Sequence, residues 1–138
     1  MNESGNTAIF SIGNRFDNDN FSGAVWLEML VPYGTPSNCP IANVTFAPGC
    51  RNSWHMHPGG QILLVTTGNG YYQEWGKTAR ELRPGDIVEI PSNVKHWHGA
   101  AKDCTFTHIA IETNTQAGSV KWMEPVSDSD YSNLQNTL

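Results

Sequence analysis

The chain is poor in positive charge, with eight Lys and Arg against 13 Asp and Glu over 138 residues and a net charge of −5. The basic residues are scattered rather than clustered, so there is no electrostatic footprint for a phosphate backbone, and nucleic acid is not expected as a partner. Long apolar runs are missing too. No segment approaches the roughly 18 apolar residues of a membrane span. Met1-Asn2-Glu3-Ser4-Gly5 is not a basic stretch leading into an apolar one, so a cytoplasmic protein with no membrane partner is expected. Cys39, Cys50 and Cys104 are odd in number and include no CxxC pair, which excludes both a disulfide framework and a thiolate zinc site and predicts buried or half-buried free thiols. Helical periodicity is confined to the tail, where Ser127 or Asp128 is predicted to cap a short turn ending near Leu134. Gly68-Asn69-Gly70 lacks the third Gly and following helix of a dinucleotide fingerprint.

What the chain has instead is turn residues at regular intervals. Pro48-Gly49, Pro58-Gly59-Gly60, Gly68-Asn69-Gly70, Pro84-Gly85 and Pro91-Ser92-Asn93 separate short β-type runs at 41–47, 61–67, 71–75, 86–90, 95–99 and 105–112. Earlier, 8–12 and 24–31 are predicted strands, and Asn69-Gly70 is a predicted hairpin turn. The fold class is therefore all-β, a sandwich or barrel in one domain. Residues 1–40 supply strands and loops of that same domain, 41–126 form the barrel, and 127–138 form a C-terminal tail.

Within this frame His55 and His57 alternate. In a strand they project from one face, roughly 7 Å apart, which allows two imidazoles to converge on one ion. The Pro-Gly-Gly turn reverses the chain and can return Gln61 to the same face. His96 follows a Pro-Asn turn into the next strand, and His98 shares its face as a neighbour rather than a further ligand.

These residues resemble the two motifs of the cupin family. The first, G-x5-H-x-H-x3-E-x6-G, is met at Gly49, His55, His57 and Gly68, with Gln61 where Glu is usual. The second, G-x5-P-x-G-x2-H-x3-N, is met at Gly85, Pro91 and His96, with Asn93 in place of Gly and Ala100 in place of Asn. The resemblance implies a cupin double-stranded β-helix, or jelly-roll barrel, with one divalent transition metal held by His55, His57, Gln61 and His96. The competing reading is a barrel that has lost its metal, its imidazoles satisfied by hydrogen bonds; retention of all three argues against it. Gln61 coordinates through a neutral carbonyl oxygen, so the site keeps a formal +2 charge, favouring Lewis-acid chemistry over oxygen activation. Family habit and the oxygen donor favour manganese or iron, with zinc next.

Around these ligands, alternation in 105–112 places Phe106, His108, Ala110 and Glu112 on the cavity face. Ala42, Val44 and Phe46 are predicted to add apolar lining. His98 and His108 are the candidate acid/base residues, because imidazole titrates near neutral pH. Trp54, Met56 and Trp97 have the opposite parity and are expected to pack behind the site, while Arg51 and Lys95 are expected to be solvated surface charges.

A narrower resemblance runs from about residue 41 to 131. The strings His55-Met56-His57-Pro58-Gly59-Gly60-Gln61, His96-Trp97-His98-Gly99-Ala100-Ala101, Thr107-His108-Ile109-Ala110-Ile111 and Trp122-Met123-Glu124-Pro125-Val126 are similar to the bacterial manganese-dependent cupin hydroxynitrile lyases, and to small cupins named for carboxymuconolactone decarboxylase. Glu112 departs from that pattern, which has Gln there. The resemblance implies carbon–carbon bond cleavage or formation on a small-molecule substrate, in a homodimer. Two alternatives stand beside it: isomerisation, decarboxylation or dioxygenation of a small carboxylate, and a non-enzymatic module binding a small molecule or a metal.

Overall fold

The computed structural model describes residues 9–137, with side-chain surroundings described as far as 134. In chain order the strands are β1 (Asn14–Arg15), β2 (Phe21–Ser22), β3 (Val25–Val31), β4 (Ile41–Phe46), β5 (Arg51–Asn52), β6 (His55–Met56), β7 (Gln61–Gly68), β8 (Gly70–Glu74), β9 (Arg80–Leu82), β10 (Ile87–Ile90), β11 (His96–Ala100), β12 (Phe106–Glu112) and β13 (Lys121–Trp122). Among the described residues a 3-10 turn at Thr115–Ala117 and one helix, α1 (Asp128–Thr137), complete the elements.

The strands form two antiparallel sheets. One runs β1-β3-β4-β12-β7-β10; the other runs β13-β6-β11-β5-β2, with β8 pairing β11 and β9 pairing β8. Together they form an all-β jelly roll. Between the sheets lie Phe46, Leu63, Leu82, Val88, Ile90 and Phe106, each at most 2% exposed. Burial of a side chain of this size contributes roughly 1.5–3 kcal/mol of transfer free energy.

The β-runs predicted from 24 onward form strands, with ends shifted by a residue or so. The predicted strand at 8–12 does not form over residues 9–12; Ala8 lies outside the described residues. Strand β1 begins only at Asn14, paired with Leu27. Asn69-Gly70 is not a hairpin turn: β7 pairs with β10 and β12, whereas β8 pairs with β9 and β11, so the turn carries the chain from one sheet to the other. Gly68 makes that corner at φ 77°, where a Cβ would fall 1.7 Å from the carbonyl oxygen of Thr105. No side chain fits there. The Asn93 that replaces a motif Gly has φ 62°, a left-handed conformation that Asn tolerates better than other non-glycine residues.

A second core lies under the tail: Trp54, Tyr71, Trp97, Val126, Tyr131 and Leu134 pack together, so Trp54 and Trp97 do lie behind the histidine strand. Ser127 caps α1, its Oγ accepting from the Asp130 N–H at 3.0 Å. Arg51 and Lys95 are not the solvated surface charges that their sequence positions suggested. Arg51 is buried, donating to Val126 O at 2.9 Å and Asp128 Oδ1 at 2.7 Å, with its guanidinium 4.5 Å from the Tyr131 ring. Lys95 is held between Glu124 at 2.9 Å and the face of Trp75 at 3.6 Å. Both stems cover aromatic surface while their charges find fixed partners, which alternation along a strand does not reveal. Cys50 is buried and Cys39 and Cys104 half-buried, all free, as predicted.

Arg51 thus fastens the helix to the barrel. Arg51→Ala is expected to lower the unfolding free energy by about 1–3 kcal/mol, measured by denaturant titration. Hydrogen exchange along α1 should accelerate before exchange in the barrel strands does.

Candidate metal centre

All five histidines of the chain are buried in the barrel. His55 on β6 and His96 on β11 are direct register partners, and their ring centroids lie 4.2 Å apart. His57, just beyond β6, is 5.1 Å from the His55 ring and 5.6 Å from that of His96. The Pro58-Gly59 turn that follows closes with the Gly60 N–H on His57 O at 3.0 Å. Gly59 lies so close to the end of β12 that a Cβ there would come within 2.3 Å of two backbone oxygens. Thr113 Oγ1 donates to Gly59 O at 2.7 Å. The turn therefore delivers Gln61 to the opposite sheet, in register with Glu112.

Backbone carbonyls fix the rings. His55 Nδ1 donates to Ser53 O at 2.7 Å and His96 Nδ1 to Val94 O at 2.8 Å. A carbonyl only accepts, so Nδ1 carries the hydrogen in both and Nε2 keeps its lone pair. Glu112 does the same for two more groups. Its Oε1 is 3.1 Å from His57 Nδ1 and its Oε2 accepts from Gln61 Nε2 at 2.6 Å, which turns Gln61 Oε1 the other way. Among the described residues, the buried side-chain atoms with no hydrogen-bond partner are His57 Nε2, Gln61 Oε1, His96 Nε2, His108 Nδ1 and Arg51 Nε. Three of these, on His57, Gln61 and His96, are the free donor atoms of three of the four residues singled out in the sequence. Leaving each unpartnered costs about 1–3 kcal/mol, a cost that a cation would remove.

His98 is closer to the centre than its place as a neighbour suggested. Ring nitrogens of His55, His96 and His98 all lie within 4.8 Å of one another, so this triad too could hold a metal. His98 is tied on both sides, however, with Asn52 Nδ2 3.3 Å from its Nε2 and His108 Nε2 3.3 Å from its Nδ1. Asn52 Oδ1 accepts the backbone N–H of His98 at 2.9 Å, which turns the amide nitrogen toward the ring. Nothing in the sequence pattern marked Asn52. Burial keeps these imidazoles neutral: it pushes His96 and His108 down to about 4, and holds His55 and His98 well below the usual histidine range, helped by the adjacent imidazoles.

A cavity of about 690 Å³ opens against this cluster. Ala42, Val44, Phe46, Ala110, Glu112, His98 and His108 are among the residues that line it. Phe106 does not, which corrects its placement in the pocket: it is fully buried at the closed end of β12, opposite Phe46 and Gly68, and packs on Phe46 and His108. The remaining wall comes from segments that the motifs do not cover, chiefly Phe16, Phe21, Leu27, Met29, Tyr33 and Trp122. Trp122 pairs with His55 in register and stacks on its ring at 4.6 Å. The parity of β3 gave a signal for Val25, Leu27 and Met29; nothing gave one for Phe16 or Phe21.

The pattern of the Cupin domain family matches residues 42–111. The chain belongs to the cupin family. Among curated cupin relatives, an (R)-mandelonitrile lyase of Granulicella tundricola is 43% identical over 82% of this chain and 86% of its own. An acireductone dioxygenase of Bacillus cytotoxicus is 31% identical over 44% of this chain and 38% of its own. Among solved structures, a cupin-like protein of Thermotoga maritima superposes with TM-score 0.89 and 48% identity, covering 92% of this chain and 96% of that one.

The buried imidazoles make stability depend on pH. An imidazole held near 4 when folded but near 6.5 when unfolded binds fewer protons in the native state, so its contribution is present above about 6.5 and lost as pH falls toward 4. For His108 alone that window is worth roughly 3 kcal/mol. Metal-free protein is expected to lose melting temperature steadily between pH 6.5 and 4, and His108→Leu to flatten that dependence, both read by calorimetry.

Proposed function

We infer that this cupin is a metal-dependent lyase that makes or breaks the carbon–carbon bond of a small, uncharged, apolar hydroxynitrile. The observation that carries the reading is the cavity lining: mostly apolar side chains and imidazoles, with no Lys or Arg among the described lining residues and Glu112 as their one acidic group. A small carboxylate or enediolate substrate would have only the bound ion to pair with, no cationic side chain among the described lining residues, and the Glu112 carboxylate facing it. This weighs against the decarboxylase and dioxygenase alternatives. The 43% identity to an enzyme named mandelonitrile lyase supports the same choice.

Of the two overlapping sets of donors, His55, His57, Gln61 and His96 fit an ion better, because three of their donor atoms lack partners while both nitrogens of His98 are engaged. A divalent ion there, manganese or iron before zinc, supplies Lewis-acid stabilisation of negative charge on a substrate oxygen. The remaining work falls to the chain. Val44, Phe46 and Leu27 hold the apolar substituent and keep water from it. His108, tied to His98 through its Nε2 and with its Nδ1 free of any partner, accepts the hydroxyl proton as the carbon–carbon electron pair leaves with cyanide, forming the aldehyde. The same imidazole then protonates cyanide to hydrogen cyanide and is neutral again.

Protein loaded with Mn(II) and given mandelonitrile should release benzaldehyde faster than Mn(II) alone, and His108→Ala should reduce the rate by about 10²–10⁴-fold. Removing the ion with a chelator should abolish the activity and lower the melting temperature. A rate no greater than that of free metal would remove the lyase reading. Oxygen uptake by the Fe(II)-loaded protein would instead favour the dioxygenase alternative. Stabilisation by ligand without turnover would favour a binding module.

A further inference from the structure

Glu112 has an unusual set of partners for a carboxylate that is only 22% exposed. Among the described residues it forms no ion pair with Lys or Arg, and none lines the cavity it faces. Both oxygens go instead to an imidazole and an amide, Oε1 to His57 Nδ1 at 3.1 Å and Oε2 to Gln61 Nε2 at 2.6 Å. On the far side of those same groups are His57 Nε2 and Gln61 Oε1, buried and without partners. A partly buried carboxylate with no Lys or Arg beside it is costly, and so are two unpartnered lone pairs nearby. A cation on the far side of His57 and Gln61 would offset both costs at once.

We propose that Glu112 is a positioning residue that returns to the metal centre, through Gln61 and His57, the negative charge lost when Gln replaces the family's usual Glu. The proposal rests on the metal reading above. Its geometric part is orientation: a carboxylate cannot donate, so it forces the amide nitrogen and the protonated Nδ1 toward itself and leaves Oε1 and Nε2 as the coordinating atoms. Its electronic part is polarisation. A charged acceptor on the amide N–H draws electron density toward the amide oxygen, and one on Nδ1–H makes Nε2 more basic. Gln61 backed by Glu112 then donates more like a carboxylate than an isolated amide does, with the formal charge displaced outward by one hydrogen bond. The centre is a weaker Lewis acid than four neutral donors alone predict.

The test is titration of metal-free protein with Mn(II), reading free Mn(II) from the paramagnetic resonance of the aqueous ion. Glu112→Gln offers one acceptor to two donors and carries no charge, and should weaken Mn(II) binding by about 10–100-fold, the range usual for loss of such a partner. The double variant Gln61→Glu with Glu112→Gln exchanges the roles of the two side chains and keeps charge and hydrogen bond. It should bind within about tenfold of the parent, a recovery that a merely structural role would not give. Circular dichroism of the metal-free forms checks folding, and Glu112→Ala serves as the second single variant. Folded Glu112→Gln and Glu112→Ala proteins that bind Mn(II) like the parent would overturn the proposal. Weak single variants with no recovery in the exchange would overturn its electronic part. A parent that binds no Mn(II) would overturn the metal reading itself, which separates the two failures.

Discussion

Five imidazoles share the interior of one small barrel, and the neutrality that burial imposes on His55, His96, His98 and His108 is the constraint on which the rest depends. A charged imidazole there would lack water and would face other imidazoles a few ångströms away. Burial and mutual repulsion both press the pKa values down. Neutrality alone leaves two tautomers per ring. For His55 and His96 the choice is made by the carbonyls of Ser53 and Val94, each two residues earlier in the chain. The local backbone bend before each histidine therefore sets which nitrogen is free. The site is pre-organised by its own strand entrances.

The same centre needs contributions from both sheets. His55 and His96 come from neighbouring strands of one sheet, whereas Gln61 begins a strand of the other. The link is the Pro58-Gly59-Gly60 turn, pressed onto the end of β12 so closely that Gly59 has no room for a side chain. Its other consequence is to set Gln61 opposite Glu112. The replacement of a usual Glu at 61 and the carboxylate at 112 are thus one structural feature shared between two paired strands. Reading Gln61 alone gives a neutral donor set; reading it with its cross-strand partner gives a set with an anion behind it.

The cavity follows a different logic. Its inner wall is built from the alternating apolar residues of β4 and β12, and Phe16, Phe21, Tyr33 and Trp122, all outside the matched 42–111 region, add aromatic lining. Phe21 contacts Phe46 and Trp122 at centroid distances of 5.9 and 5.8 Å, so the N-terminal segment and β13 meet over the site. The family's barrel supplies the donors, while the flanking segments shape what reaches them.

The sequence by itself determined the all-β class, the turn positions, the family motifs and the inward parity of His55, His57, His96, His98 and His108, because a period of two and turn chemistry are local properties of the chain. It misjudged what depends on the partner of a strand rather than on the strand. Asn69-Gly70 has the composition of a hairpin, yet the strands it joins lie in different sheets. Phe106 has the parity of a lining residue, yet it sits where the barrel is already closed. Arg51 is charged, yet it lies beneath a helix some 75 residues later in the chain. The pairing of Gln61 with Glu112, the tie between His98 and Asn52, and the aromatic lining that Phe16, Phe21, Tyr33 and Trp122 add to the cavity were decided only by tertiary structure. Each joins residues separated by tens of positions, and which of them meet is set by the strand register and packing of the closed barrel rather than by local preference.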